Sequence, residues 1–168
     1  MALQIIDSAK IEVWGRLKKL GEGDTMLASN VVKKSGEDGR DATFVRYELY
    51  VDRNARFPNR APDLELQTFY GQLQYIFVLK FPTDPLPFVP PAIKIPAVIG
   101  VGSIQQCRII RDHPLGLDIH YYKTLYPTPE IVDIASIQCL VARTRWEKEI
   151  AIFDRSGDLA RANADFQE

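Results

Sequence analysis

The sequence is poor in the residues that usually carry chemistry. It has two histidines, His113 and His120, and two cysteines, Cys107 and Cys139, in 168 residues. Both cysteines sit in apolar runs and read as reduced, buried thiols of an intracellular protein, not as a disulfide framework. No apolar run approaches the roughly 20 residues a membrane helix needs, so no membrane partner is expected. Neither sign of charge is in excess. The 21 Lys and Arg meet 22 Asp and Glu, and a net charge of −1 gives no global field toward nucleic acid or membrane. The opening MALQIIDSAK lacks a basic stretch followed by a long apolar one, and is not read as a signal peptide. Phosphate loops are missing too. GEGD at 21–24 and GVGS at 100–103 have neither the downstream lysine nor the following helix. No serine stands in a nucleophile-elbow context.

What the sequence has in quantity is strand. Phe69 to Phe81, FYGQLQYIFVLKF, is the longest such run. Phe69, Leu73, Tyr75, Phe77, Leu79 and Phe81 fall on one side of a period-2 pattern, with Ile76 and Val78 on the other. A strand apolar on both sides is expected to be central and covered twice. The pattern predicts that Leu73, Phe77 and Leu79 point into the core. Further strands are predicted over 10–20, 25–32, 43–52 and 97–110, and near 150–153, while 119–129 is an aromatic-rich stretch closed by two prolines. Gly100 and Gly102 suggest a bulge in the fourth of these. The stretch 130–143 reads as two short strands broken at Asp133 to Ser136. Six prolines between 82 and 96 imply an extended surface connection. Asp158 is a candidate N-cap for a short terminal helix over 158–167. The expectation is one mainly-β domain over 1–168, a barrel or sandwich with a short C-terminal helix. Residues 1–9 form a flexible N-terminal segment in this reading.

Two groups of arginines stand beside aromatics. Arg40, Arg46, Arg53, Arg56 and Arg60 lie near Tyr47, Tyr50 and Phe57, and Arg143, Arg145 and Lys148 lie beside Trp146. Such interleaving can track phosphates and stack on bases. It can equally be a solvated face whose arginines pair with Asp41, Glu48 and Asp52. The candidate binding surface is Arg53, Arg56, Phe57, Arg60, Arg143, Arg145 and Trp146. A hydrolase or metal site would have to use Asp112, His113, His120 and Asp133, with Cys107 and Cys139 in reach. Their spacing matches no ligand pattern, and neither metal nor other cofactor is expected.

Six segments, taken in order, resemble a known family. They are WGRLKKLGEGDTMLAS, RDATFVRYELYVD, FYGQLQYIF, LGLDIHYYK, EIVDIASIQCLVAR and AIFDRSGDLARA. The last five resemble the C-terminal region of large CACTA-like transposase-type proteins of mushroom-forming fungi. The first resembles the lead-in to that region. The resemblance covers roughly residues 10 to 162. In that family the region follows an RNase-H-like catalytic domain with acidic metal-binding residues, which this sequence does not contain. The resemblance therefore implies a non-enzymatic accessory module, intracellular and nuclear. Its partners would be protein, chromatin, a second copy or a transposase catalytic domain, with DNA as the alternative. The strand rhythm is also similar to that of bromo-adjacent homology domains, β-barrels that bind chromatin proteins, by fold-level analogy alone.

Overall fold

The computed structural model describes residues 2–20, 23–32, 41–82, 89 and 94–154. The expected C-terminal helix, Arg40 and most of the proline-rich connection lie outside these residues. Residues 1–9, expected as a flexible segment, include a one-and-a-half-turn helix, α1 (Ala2–Asp7). Most of the rest of the described chain is strand. In order these are β1 (Lys10–Trp14), β2 (Arg16–Lys18), β3 (Thr25–Leu27), β4 (Phe44–Asp52), β5 (Leu64–Lys80), β6 (Val98–Asp112) and β7 (Ile119–Leu125). Then come β8 (Glu130–Asp133), β9 (Ile137–Leu140), β10 (Ala142–Trp146) and β11 (Glu149–Phe153). The expected break inside 130–143 is a 3-10 turn, Ile134–Ser136, between β8 and β9. Asp133 caps it by accepting a 2.8 Å hydrogen bond from the Ala135 amide.

The sheet is antiparallel, in the order β10-β11-β7-β6-β5-β4-β9, with β1 added to β5 and β8 to β6. Its two end strands, β9 and β10, are separated by Val141 alone. The chain itself thus joins the two edges, and the sheet curls into a barrel-like arrangement. Val141 is buried at this seam, and its amide donates to the Phe44 carbonyl at 3.1 Å. The mainly-β expectation is met.

β5, 17 residues long, is the central strand and has core on both sides. On the inner side Leu73 and Ile76 pack with Met26, Val45, Tyr47, Ile104 and Ile137. On the outer side Tyr70 packs with Phe44, Cys107, Tyr122, Val141 and Ile152, under the roof made by β7 and β11. The buried set is not the one the alternation predicts. Leu73 and Ile76 are fully buried and Val78 nearly so, whereas Phe77 and Leu79 are only half-buried. The cause is a bulge. The β5–β6 register slips between Leu73 and Tyr75, so Gln74 is an extra residue that moves the inward side from odd to even numbers. The Leu73 and Gln74 carbonyls at the slip accept from the Ser29 and Asn30 amides, at 2.9 and 3.2 Å.

Gly100 and Gly102 do not form the expected bulge. They pair regularly with Val78 and Ile76. Their role is room: a Cβ at Gly100 would lie 3.0 Å from Ile134, and one at Gly102 would lie 3.1 Å from Ile137. The missing side chains let the turn after β8 close over the inner core. The slips in β6 fall instead between Cys107 and Arg111, where it turns from β5 to β7.

Candidate functional site

β4 pairs over its whole length with the first half of β5, from Phe44↔Gln72 to Asp52↔Leu64. Their other neighbours do not follow them. β9 pairs with β4 only at Val45 to Tyr47, and β6 reaches β5 only from Gly71 onward. Among the described residues, Glu48–Asp52 and Leu64–Thr68 therefore form a two-stranded arm. Tyr50 and Leu66 are cross-strand partners on one of its faces, as are Asp52 and Leu64. Tyr50 is 69% exposed, Leu64 61% and Leu66 50%.

The connection 53–63 at the end of the arm is held by polar contacts in place of a core. The Asp52 carboxylate accepts from the amides of Asn54 and Asp63, at 2.8 and 2.9 Å. The Arg53 amide donates to the Asp63 carbonyl, and the Asn54 side chain donates to the Ala61 carbonyl, both at 2.8 Å. Two turns follow, Phe57 amide to Asn54 carbonyl and Arg60 amide to Phe57 carbonyl. This frame presents Arg53, Arg56, Phe57 and Arg60 to solvent. The Arg60 guanidinium lies 4.5 Å from the centre of the Phe57 ring, a cation–π clasp that fixes both. Arg53 stands 3.9 Å from Asp63, with both side chains about three-fifths exposed.

The other half of the expected surface divides. Arg143 is not a surface residue. Its guanidinium donates to the Tyr122 hydroxyl at 2.6 Å, pairs with Asp41 at 2.5 Å and stacks 3.2 Å over the Phe44 ring. It holds the seam of the barrel, because Asp41 precedes β4 while Tyr122 lies on β7. Arg145 and Trp146 are exposed, at the turn of the β10–β11 hairpin. They do not join the arm. The opposite end of that hairpin, Phe153, leads to Asp154 at the arm's root, so the turn points away from it.

The root of the arm carries a polar network that the sequence did not reveal. Asp154 is buried and accepts from the Tyr70 hydroxyl at 2.8 Å. Arg46 lies with its Nε 3.2 Å from the same carboxylate, in ion-pair contact without hydrogen-bond alignment, and donates to Glu48 at 2.6 Å. Burial, then Asp154, pushes the Tyr70 phenol well above its ordinary range. The His120 ring packs 4.8 Å from Tyr70 and pairs with Asp112 at 2.7 Å. This network ties β4, β5, β7 and the end of β11 together where the arm leaves the barrel.

Of the residues considered for hydrolysis or metal binding, only Asp112 and His120 meet. His113 faces Tyr121 and accepts from the Leu115 amide, and Asp133 caps the 3-10 turn. Among the described residues, no three His, Cys, Asp or Glu side chains are placed to share a metal ion. Burial pushes the Cys107 thiol up to about 12 and raises that of Cys139 as well, opposite to what a nucleophile needs.

The register also defines an apolar face. On the outer side of the sheet, below the β7–β11 roof, three rows of cross-strand partners line up. They are Ile11–Leu79–Ile99, Val13–Phe77–Val101–Asp133 and Tyr75–Ser103–Ile131. Ile11 is 54% exposed, Val13 53% and Ile131 63%. This face contains Phe77 and Leu79, which the alternation assigned to the core together with Leu73. On the inner side, Trp14, Arg16, Leu17 and Lys18 border an open pocket of about 520 Å³ floored by Ile76 and Val78. Among the described residues, no helix is long and apolar enough to cross a membrane. Comparison with family models, with curated proteins and with solved structures finds no match for this chain.

Proposed function

We propose that this chain is a non-catalytic interaction module that recognises a protein through the β4–β5 arm. The observation that carries the reading is an arm ordered without a core. Eleven residues, 53–63, are held by backbone and carboxylate hydrogen bonds, and the frame's product is an exposed Phe57–Arg60 clasp beside exposed Tyr50, Leu64 and Leu66. Exposed aromatics and arginines on a rigid frame are the groups that dominate protein contacts. Three arginines at the tip, offset by flanking acids, suit a mixed, partly apolar protein surface. Resemblance to the accessory region of transposase-type proteins adds the setting. The module works in the nucleus, in assembly with a catalytic domain or on a chromatin protein. A hydrolase reading would have to rest on the Asp112–His120 pair alone, since His113 and Asp133 make other contacts.

Nucleic acid is the competing partner, because the same arginines can meet phosphates. The arm's own composition weighs against it. Arg53, Arg56 and Arg60 are offset by Glu48, Asp52, Asp63 and Glu65, and acids flanking the tip repel a phosphate track. Fluorescence anisotropy with labelled duplex DNA decides between the two. Protein recognition predicts no binding below roughly 10 µM at low salt. Micromolar, salt-sensitive binding that Arg56→Ala weakens replaces protein by DNA as the partner.

A further inference from the structure

The arm has two open edges, and they are not alike. The Arg53 amide donates to the Asp63 carbonyl, and the Leu73 amide to the Thr43 carbonyl. In the continuous β4–β5 register the hydrogen-bonded pairs therefore fall on odd residues. Even residues turn their backbone N–H and C=O groups outward. On β4 these are Glu48, Tyr50 and Asp52, and on β5 they are Leu64, Leu66 and Thr68. Among the described residues no strand pairs with either set, because β9 stops at Tyr47 and β6 begins at Gly71. The β4 edge is flanked by the carboxylates of Glu48 and Asp52, and charge of this kind is how a sheet blunts an edge. The β5 edge, LELQT, runs for about 17 Å without lysine, proline or bulge. The three residues that open to it carry no charge. Glu65 belongs to the opposite face, where it accepts from the Gln67 side chain at 3.1 Å.

Granting the arm as the recognition surface, we propose that an extended peptide of a partner protein adds to the Leu64–Thr68 edge as a further strand. A row of alternating unpaired donors and acceptors at strand spacing is complementary to the backbone of another strand. The added strand lays alternate side chains beside Leu64, Leu66 and Thr68. Leu64 is 61% exposed and Leu66 50%, so apolar residues at those alternate positions are selected. A second copy of the arm does not fit this edge. Paired antiparallel about Leu66, it would set Ala61 opposite Gly71, where β6 already sits through Gln106. The connection 53–61 of each copy would then run into β6 of the other. A short peptide segment has no such overhang.

Panning tests this, with the full chain immobilised and a phage library of random linear peptides of roughly 12 residues as the probe. The expected result is a family of peptides with apolar residues at alternate positions. Synthetic members should bind at least about tenfold more weakly to Thr68→Pro, which deletes one outward N–H, and within about twofold of the parent to Thr68→Val, which keeps it. Both variants lose the 3.4 Å contact from Arg46 to the Thr68 hydroxyl, so the comparison isolates the N–H. N-methylation of alternate peptide residues should weaken binding at least about tenfold in the frame that faces the edge, and should not in the other frame. Thermal melts check both variants; if Thr68→Pro unfolds, the N-methylated peptides decide the matter. Failure to enrich any peptide overturns the proposal. So does binding that a folded Thr68→Pro leaves intact, or that N-methylation leaves unchanged in both frames. The arm itself is judged separately, by cross-linking from position 57. A protein adduct formed there without any edge-binding peptide means that the arm recognises a folded surface and adds no strand.

Discussion

The near and far halves of the β4–β5 hairpin are built from similar residues and live in different surroundings. In the near half, Val45, Tyr47, Tyr70, Leu73 and Ile76 are buried, with core on both faces of the sheet. In the far half, Tyr50, Leu64, Leu66 and Phe57 stand in solvent. The near half is fixed by packing and the far half by hydrogen bonds around Asp52 and Asn54. Hydrophobic burial stabilises the first by about 1.5–3 kcal/mol for each large side chain. The second gains about 0.5–1.5 kcal/mol from each hydrogen bond, which is enough to shape a loop and too little to explain why apolar residues sit on it. The near half is there for folding. Under the proposed reading, the apolar residues of the far half are there for contact.

The difference predicts a graded series. Leu73→Ala removes a fully buried side chain and should destabilise the protein by about 3–5 kcal/mol in urea unfolding. The half-buried Phe77, on the unroofed face, should cost only about 1–2 kcal/mol when replaced by alanine. Equal losses for the two would contradict the Gln74 bulge. Arg143→Ala should fall between these, at about 2–3 kcal/mol, because it strips partners from Asp41 and the Tyr122 hydroxyl at the seam. Phe57→Ala should change stability by less than about 0.5 kcal/mol, since its ring contributes to no core cluster.

Cysteine reactivity sharpens the same contrast. The folded state holds the Cys107 thiol up to about 12, from an ordinary value of 9.0, because burial disfavours the thiolate. The reactive form at pH 8 is therefore strongly suppressed in the native protein and restored on unfolding. Alkylation of Cys107 should track global unfolding. Rapid labelling at pH 8 without denaturant would show that the roofed half of the outer face opens.

Strand identity was legible because alternation and turn residues are local signals. Phe44–Asp52 appears within one residue of its expected span, and the break in 130–143 was readable from the Asp133 cap. The sidedness of β5 was not legible beyond Leu73. One extra residue reverses every later side chain, and nothing in Gln72 or Gln74 distinguishes a bulge from a regular pair. The Arg53–Arg60 tip was legible because three arginines between two strands cannot be buried cheaply. Arg143 was misread for a long-range reason: its partners Asp41 and Tyr122 are 102 and 21 residues away. Asp154 is likewise 84 residues from Tyr70, so the network at the arm's root is visible only in three dimensions. The apolar outer face had a weak signal in Ile11 and Val13, which alternate with Lys10 and Glu12 at the start of a strand.

The central claim is that the arm's tip is a protein-contact surface, and site-specific photo-crosslinking tests it most directly. A photoreactive phenylalanine analogue placed at position 57 is compared with the same analogue at position 115, where Leu115 is 79% exposed but distant in sequence from the arm. Both proteins are irradiated in nuclear extract. The account predicts a discrete protein adduct from position 57 that is absent from position 115. It also predicts that Arg56→Ala or Leu66→Ser in the position-57 protein reduces that adduct severalfold, while the thermal midpoint moves by no more than about 3 °C. Identical adduct patterns from the two positions, or an adduct at 57 that nuclease digestion removes, would contradict it.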